Sequence, residues 1–205
     1  IEMESAQKLR GGYYTPLDIA TFIARWVKEI NPKRILEPSC GDGVFFDALA
    51  KVEGFQKTEM VGFELDADEA AKAYARSCDV GLKTVQVYHD DFLEWAIHHL
   101  NDGNTQFDAV VGNPPFVRYQ YLPTPFQVRA EKIFKELGLT FTKHTNAWVS
   151  FILASMALLR PGGRLAMVVP AEIIHVTHAQ SLRSYLGREC RRLVIIDPEE
   201  LWFSD

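Results

Sequence analysis

The chain has 205 residues, with 22 lysines and arginines against 27 aspartates and glutamates, and its net charge of −5 excludes a generic polyanion-coating protein. No apolar run reaches the ~18 residues of a membrane span, and the acidic opening Ile1-Glu2-Met3-Glu4 is not a signal peptide, so neither a membrane protein nor a secreted one is expected. Cys40, Cys78 and Cys190 are widely spaced and contain no Cys-x-x-Cys pair, which fits a cytoplasmic location rather than a disulfide framework or zinc site.

Ile1 ahead of Met3 and the ending Phe203-Ser204-Asp205 are expected of a fragment. The first element is a helix over Leu17 to Ile30. Thr15 is its expected N-cap, Pro16 its first helical residue, and Asp18 completes a start like a capping box. Ile19, Ile23, Val27 and Ile30 share one face before Asn31-Pro32 ends the helix.

Strands are expected at Arg34–Glu37, Met60–Glu64, Thr84–His89, Phe107–Gly112, Arg164–Val169 and Leu193–Ile196. Helices are expected between them, at Val44–Val52, Ala67–Ser77, Phe92–Leu100, Ala147–Leu159 and Ala179–Arg188. Most strands read as continuous apolar runs, as when both faces of a parallel sheet are covered. Leu158 to Gly163 should end a helix and turn tightly into the next strand. From Val117 to Asn146 the alternation breaks: Pro123, Pro125 and the amphipathic piece Gln127–Leu137 form an insertion after a strand's carboxyl end, where ligands bind in open α/β sheets.

Charge is uneven. Residues 1–108 hold 19 acids and 11 bases, whereas residues 109–192 hold 4 acids and 11 bases. The second half either faces a polyanion or is a solvated basic surface. His175 and His178 fall at helical spacing but lack a third ligand candidate, so they read as surface histidines and no metal is expected.

Glu37-Pro38-Ser39-Cys40-Gly41-Asp42-Gly43 joins the first strand to a helix, and its glycines let the backbone approach a nucleoside closely. Glu64 ends the following strand, where a carboxylate can accept both ribose hydroxyls. The third glycine of a dinucleotide fingerprint is absent, since Phe46 occupies its place. Glu37 and Asp42 would repel a pyrophosphate but favour the ammonium and sulfonium of S-adenosylmethionine, so that cofactor is expected rather than NAD. Asp66-x-x-Glu69 reads as a helix cap and is left out of the site. Asp91 is a candidate for the adenine amino group, with Phe92 packing on the ring; a helix cap is its rival role, and Asp90 could serve either purpose.

The strand Phe107–Gly112 runs into Asn113-Pro114-Pro115-Phe116. Two prolines fix the backbone and leave the Pro114 carbonyl as a directed acceptor, with the Asn113 side-chain oxygen as a second. That pair suits a planar, conjugated amine, whose two N–H groups can be held while its lone pair attacks a methyl group; Phe116 would stack on the ring.

Together these motifs resemble the gamma-class N6-adenine DNA methyltransferases, the TaqI-like enzymes of restriction–modification systems. Gly12-Tyr13-Tyr14-Thr15-Pro16 is similar to their N-terminal cofactor motif, Glu37–Gly43 to their glycine loop and Glu64 to their ribose acid. Asp91-Phe92-Leu93-x-Trp95 resembles their adenine segment, Asn113–Phe116 their catalytic tetrapeptide, and Pro161-Gly162-Gly163 through Val168-Val169-Pro170 their later sheet motif.

The resemblance implies a Rossmann-like class I S-adenosylmethionine-dependent methyltransferase fold, in which a mostly parallel sheet is covered on both faces and the final strands are missing. It implies one catalytic domain over 1–205: a cofactor motif and helix (1–32), a cofactor-binding half (33–112), and a catalytic half (113–205) with the insertion 117–146. Asn113, Pro114, Pro115 and Phe116 are the expected catalytic residues. Tyr13, Tyr14, Thr15, Glu37, Pro38, Ser39, Cys40, Gly41, Gly43, Glu64, Asp91 and Phe92 are the expected cofactor residues. The implied substrate is an adenine flipped out of double-stranded DNA, with target recognition supplied from outside this chain. Methyltransferases of release-factor glutamine or ribosomal RNA adenine are the rival enzymes, and a catalytically silent cofactor-binding subunit is the rival outside catalysis.

Overall fold

The structure is a computed structural model that describes residues 14–103, 105–143, 145–174, 176 and 179–197. Five parallel strands form one sheet in the order β3-β2-β1-β4-β5. They are β1 (Arg34–Glu37), β2 (Glu59–Glu64), β3 (Val85–His89), β4 (Phe107–Gly112) and β5 (Leu159–Met167). The helices are α1 (Leu17–Lys28), α2 (Val44–Lys51), α3 (Ala67–Asp79), α4 (Phe92–His99), α5 (Thr124–Glu136), α6 (Ala147–Ala157) and α7 (Gln180–Glu189).

Successive strand residues point to opposite faces, and this alternation divides the core in two. Ile35, Met60, Ala109 and Val111 face α1, α2 and α3, where Ile23, Val27, Phe45, Phe46 and Leu49 are buried. Leu36, Val61, Phe63 and Val110 face the other way, onto Leu93, Ile133, Trp148, Ile152 and Leu182 of α4 to α7. All six residues of β4 are buried, which accounts for its unbroken apolar pattern.

Asp108 is the exception in composition. Its Oδ2 accepts the amides of Lys33 and Arg34, and its Oδ1 pairs with Arg160 at 2.6 Å, which ties the start of β1 to β4 and β5.

Three expectations need correction. α1 begins at Leu17 with Pro16 as its cap, and among the described residues no side chain caps it; the Asp18 carboxylate accepts the neighbouring Ile19 amide, while Thr15 is buried. Residues 160–163 do not form a separate turn. They belong to β5 as an irregularity opposite β4, where the register passes from Phe107↔Leu159 to Ala109↔Arg164, and the Arg160–Asp108 pair holds this segment against the sheet. Leu193–Ile196 is not a strand. Its four side chains are 51–57% exposed and its backbone joins no ladder among the described residues, so apolar composition alone does not produce a strand without a partner edge. His175 and His178 lie outside the described residues.

Candidate active site

The strand order reverses between β1 and β4, so the loops leaving their carboxyl ends share one crevice. The first loop is held from both sides. The Cys40 amide donates to the Phe63 carbonyl at 2.9 Å, and the Gly41 amide to Glu64 Oε2 at 2.9 Å. On the opposite side the Ser39 hydroxyl donates to the Asn113 carbonyl at 3.1 Å. Pro38 is buried against Gly112: a Cβ placed on that glycine would lie 3.3 Å from Pro38 Cδ.

The two loop glycines have different roles. Gly43 starts α2 with φ +87°, and a Cβ there would come within 2.9 Å of the Ala73 backbone in α3. Gly41, at φ +51°, has open space where a side chain would project, so the loop's face stays clear.

Glu64 has both oxygens oriented, Oε2 by Gly41 and Oε1 by the Asp66 amide at 3.0 Å. A carboxylate has about four acceptor sites, so two remain for donors such as vicinal hydroxyls. Asp66 is the helix cap expected of it, accepting from Asp68 and Glu69 of α3.

The loop is acidic and partly sealed from water. Glu37 is 2% exposed and its Oε2 has no hydrogen-bond partner among the described residues. Burial pushes its carboxyl well above the usual carboxylate range, and the nearby acids Asp42 and Glu64 push it further. Burial likewise raises the Cys40 thiol, with Glu37 adding to the effect. Asp42 is raised by burial and partly restored by Arg76 of α3, 3.1 Å away.

Asp91 takes the rival role named for it in the sequence. Its Oδ1 caps α4 by accepting the Leu93 and Glu94 amides, and its Oδ2 pairs with Arg129 of α5 at 3.1 Å. Phe92 is 2% exposed and packs between Phe63 and Phe151, with ring centroids 5.6 and 5.5 Å away. The structure therefore places both residues in the framework beside the crevice, with the Phe92 ring turned into the core. Asp90 is exposed, and its carboxylate accepts the Asp91 amide. Tyr13 lies outside the described residues. Tyr14 is half exposed and its hydroxyl reaches Glu69 at 3.4 Å, on the same helix that packs against Gly43.

Asn113 and Pro114 continue directly from β4, with Pro114 buried and the Asn113 Oδ1 shielded from solvent. Phe116 is partly buried against the α4–α7 core. The insertion then leaves and returns at one point, because the Ala147 amide at the start of α6 donates to the Val117 carbonyl at 2.9 Å. Within it, α5 packs on α4, and Arg129 bridges Asp91 and Glu94. The insertion thus secures α4, which follows β3, as well as following the tetrapeptide.

Two features were not read from the sequence. Leu65, directly after Glu64, is 60% exposed at the carboxyl end of β2 and offers an apolar surface there; one apolar residue between two acids gives no periodic signal. Part of the basic character of the second half is engaged in pairs and backbone contacts. Arg129, Arg160 and Arg164 pair with Asp91, Asp108 and Glu29, Arg183 donates to the Ile173 and Val176 carbonyls, and Arg188 pairs with Glu189. Among the described residues no cluster of three metal-ligating side chains occurs, and no helix is long and apolar enough to cross a membrane.

The N-6 DNA methylase family model matches residues 3–204. The chain belongs to this family. Among its relatives, the type II methyltransferase M.TthHB8I of Thermus thermophilus is 30% identical over 184 residues, covering 88% of this chain and 39% of its own length. M.BanIII of Aneurinibacillus aneurinilyticus, also a type II methyltransferase, is 26% identical over 216 residues, covering 96% of this chain and 36% of its own length. The chain spans less than two-fifths of either relative.

Among solved structures, the methyltransferase subunit of a type I restriction-modification system from Streptococcus thermophilus superposes with TM-score 0.66 at 21% identity, over 86% of this chain and 38% of that one. A Listeria monocytogenes protein assigned to the class I S-adenosylmethionine-dependent methyltransferases gives 0.65 at 19% identity, over 85% of this chain and 51% of that one. The fold is the Rossmann-like class I methyltransferase fold.

Proposed function

We propose that this chain is the donor-binding and catalytic core of a restriction–modification enzyme that transfers a methyl group from S-adenosylmethionine to the N6 amino group of adenine in DNA. The observation that carries the reading is the hydrogen bond from Ser39 to Asn113. It joins the glycine loop to the Asn113–Phe116 tetrapeptide at the sheet's switch point, in a chain of the N-6 DNA methylase family.

The residues fit the methyl donor. Glu64 has acceptor sites left for ribose hydroxyls, Gly41 leaves the loop open, Leu65 offers an apolar face for a purine, and buried Glu37 suits a cation. Tyr14 and Thr15 would flank the methionine end. When bound, the donor supplies a cationic, electrophilic methyl group.

The chain's own residues would then act on the acceptor. Asn113 Oδ1 and the Pro114 carbonyl accept the two N–H groups of the adenine amine, which frees its lone pair from conjugation. Each oriented interaction is at the ~3 kcal/mol scale of a preorganised acceptor or donor in a water-poor site. Phe116 stacks on the base for about 1–3 kcal/mol, and Pro115 fixes the backbone between them. No strong base is required, since the proton leaves after the methyl bond has formed.

A DNA methylase family match favours DNA adenine over release-factor glutamine or ribosomal RNA adenine, and an intact tetrapeptide beside an intact loop argues against a silent subunit. With several arginines engaged inside the fold, most DNA contacts would come from the remainder of the full-length protein. In that full-length protein, Asn113→Ala should abolish methyl transfer while donor binding persists; undiminished transfer would remove Asn113 from the mechanism.

A further inference from the structure

The insertion is fixed at the rim of the crevice. Arg129 pairs with Asp91 just after β3, the Ala147 amide at the start of α6 donates to the Val117 carbonyl, and the Ser181 hydroxyl at the start of α7 donates to the Thr140 carbonyl at 2.9 Å. In a parallel sheet these strand ends and helix starts all lie at the carboxyl end, where Asn113–Phe116 also stands.

The charge of the insertion is opposite to that of the chain. Residues 117–146 hold five lysines and arginines against two acids, whereas the whole chain has net charge −5. Glu131 is already taken up by the Tyr119 hydroxyl at 2.8 Å. Arg118, Lys132 and Lys135 are exposed and form no ion pair among the described residues. The two lysines line a shallow open groove on α5 with Val128, Leu139 and Phe141. Nearby, Tyr121 is 70% exposed on a turn that is well supported. The Gln127 side-chain amide donates to the Tyr119 and Leu122 carbonyls at 3.1 and 2.9 Å, and the Tyr119 ring packs on Phe141. An aromatic ring is thus presented to solvent from a fixed base, beside cations that have no partner.

We propose that this face of the insertion carries the DNA strand past the target adenine: Arg118, Lys132 and Lys135 contact its phosphates, and Tyr121 stacks on a flanking base. This inference rests on the DNA reading above. A strand has a phosphate about every 3.4 Å along the helix axis, so the nucleotides on either side of an adenine held at Asn113 have to cross the crevice rim. A cation waiting there gains a phosphate and releases a counterion, which positions the strand without reading its sequence. An acidic peptide would also answer the lysines, but the rim lies on the path of the acceptor itself.

The test measures binding of the full-length protein to two duplexes by fluorescence anisotropy over a range of salt. One duplex holds an adenine site that the enzyme labels, and the other is of random sequence without it. For the double variant Lys132→Gln, Lys135→Gln, the slope of log affinity against log salt should become shallower by about 0.9 per lysine, equally on both duplexes. The double arginine variant at the same positions should keep the original slope. Tyr121→Ala should lose about tenfold in affinity with the slope unchanged, on the scale of one base–aromatic stack. S-adenosylmethionine affinity should be the same in all of them.

An unchanged slope in the glutamine variant, or undiminished affinity in the tyrosine variant, would overturn the inference. DNA binding and methyl transfer by the unmodified protein would then leave the DNA reading standing. If the unmodified protein binds neither duplex and labels no DNA, both fall together.

Discussion

The Ser39 hydroxyl donates to the Asn113 carbonyl at 3.1 Å across 74 residues of sequence, and it joins the two loops between which a methyl group would pass. Cys40 and Gly41, the next two residues, are tied to Phe63 and Glu64 on the other side. One short loop therefore sets the separation between Glu64 and the tetrapeptide.

Removing that bridge should affect chemistry more than donor binding. Ser39→Ala forfeits one hydrogen bond, worth about 0.5–1.5 kcal/mol, so single-turnover methyl transfer in the full-length protein should fall roughly three- to tenfold. The donor Kd should stay within about twofold, and Ser39→Thr should recover part of the rate.

Glu64→Ala removes the acceptor that Gly41 and Asp66 hold in place. Hydrogen bonds to a charged group contribute about 1.5–3 kcal/mol each, so donor affinity should drop at least about tenfold, and a hundredfold if both ribose hydroxyls are held. Titration calorimetry on the folded variant measures this directly.

Gly43→Ala combines a left-handed backbone, φ +87°, with a Cβ 2.9 Å from the Ala73 backbone. The conformation alone costs about 1–2 kcal/mol, and the contact must also push α2 away from α3. Both stability in chemical denaturation and donor affinity should fall.

Asp108→Ala should act on stability alone. It leaves the Lys33 and Arg34 amides and the Arg160 guanidinium without their acceptor. A loss of about 1–3 kcal/mol is expected, because part-buried backbone donors and one half-exposed guanidinium lose a charged acceptor. Where the variant still folds, donor affinity should be little changed.

The raised Glu37 carboxyl has a signed effect on the empty protein. Unfolded, Glu37 ionises near the ordinary glutamate value of about 4.3; folded, it keeps its proton to higher pH. Its contribution is therefore complete below the unfolded value and is lost as pH rises towards the folded one. Glu37→Gln should flatten this decline and make the donor-free protein more stable than the unmodified one near neutrality, as denaturation at several pH values would show.

The sheet was legible because its strands carry strong local signals. Phe107–Gly112 and Arg34–Glu37 were read with the observed bounds, and both are buried runs ended by turn residues. Leu193–Ile196 has a similar composition but pairs with no strand among the described residues, and pairing is a non-local property that a window of sequence does not contain. The Leu159–Arg164 irregularity failed for a related reason, since the Asp108–Arg160 pair that holds it joins distant residues.

Within the candidate site, Glu64 and the tetrapeptide stand out in the sequence because each follows or ends a buried strand, and the structure places both at strand carboxyl ends. The bridging contact of the Ser39 hydroxyl has no signal in the sequence; the helix cap weighed for Asp91 is present, and its pair with Arg129 and the core packing of Phe92 are contacts the sequence does not announce. The pair with Arg129 depends on α5, whose packing onto α4 has no signature in either segment alone.

The most direct test incubates the full-length protein with methyl-labelled S-adenosylmethionine and DNA, then digests the DNA to nucleosides and locates the label. Label is expected on N6-methyladenine and is expected to be absent with the Asn113→Ala variant. Label on cytosine, or label confined to RNA or to glutamine when those substrates are supplied in parallel, would contradict it.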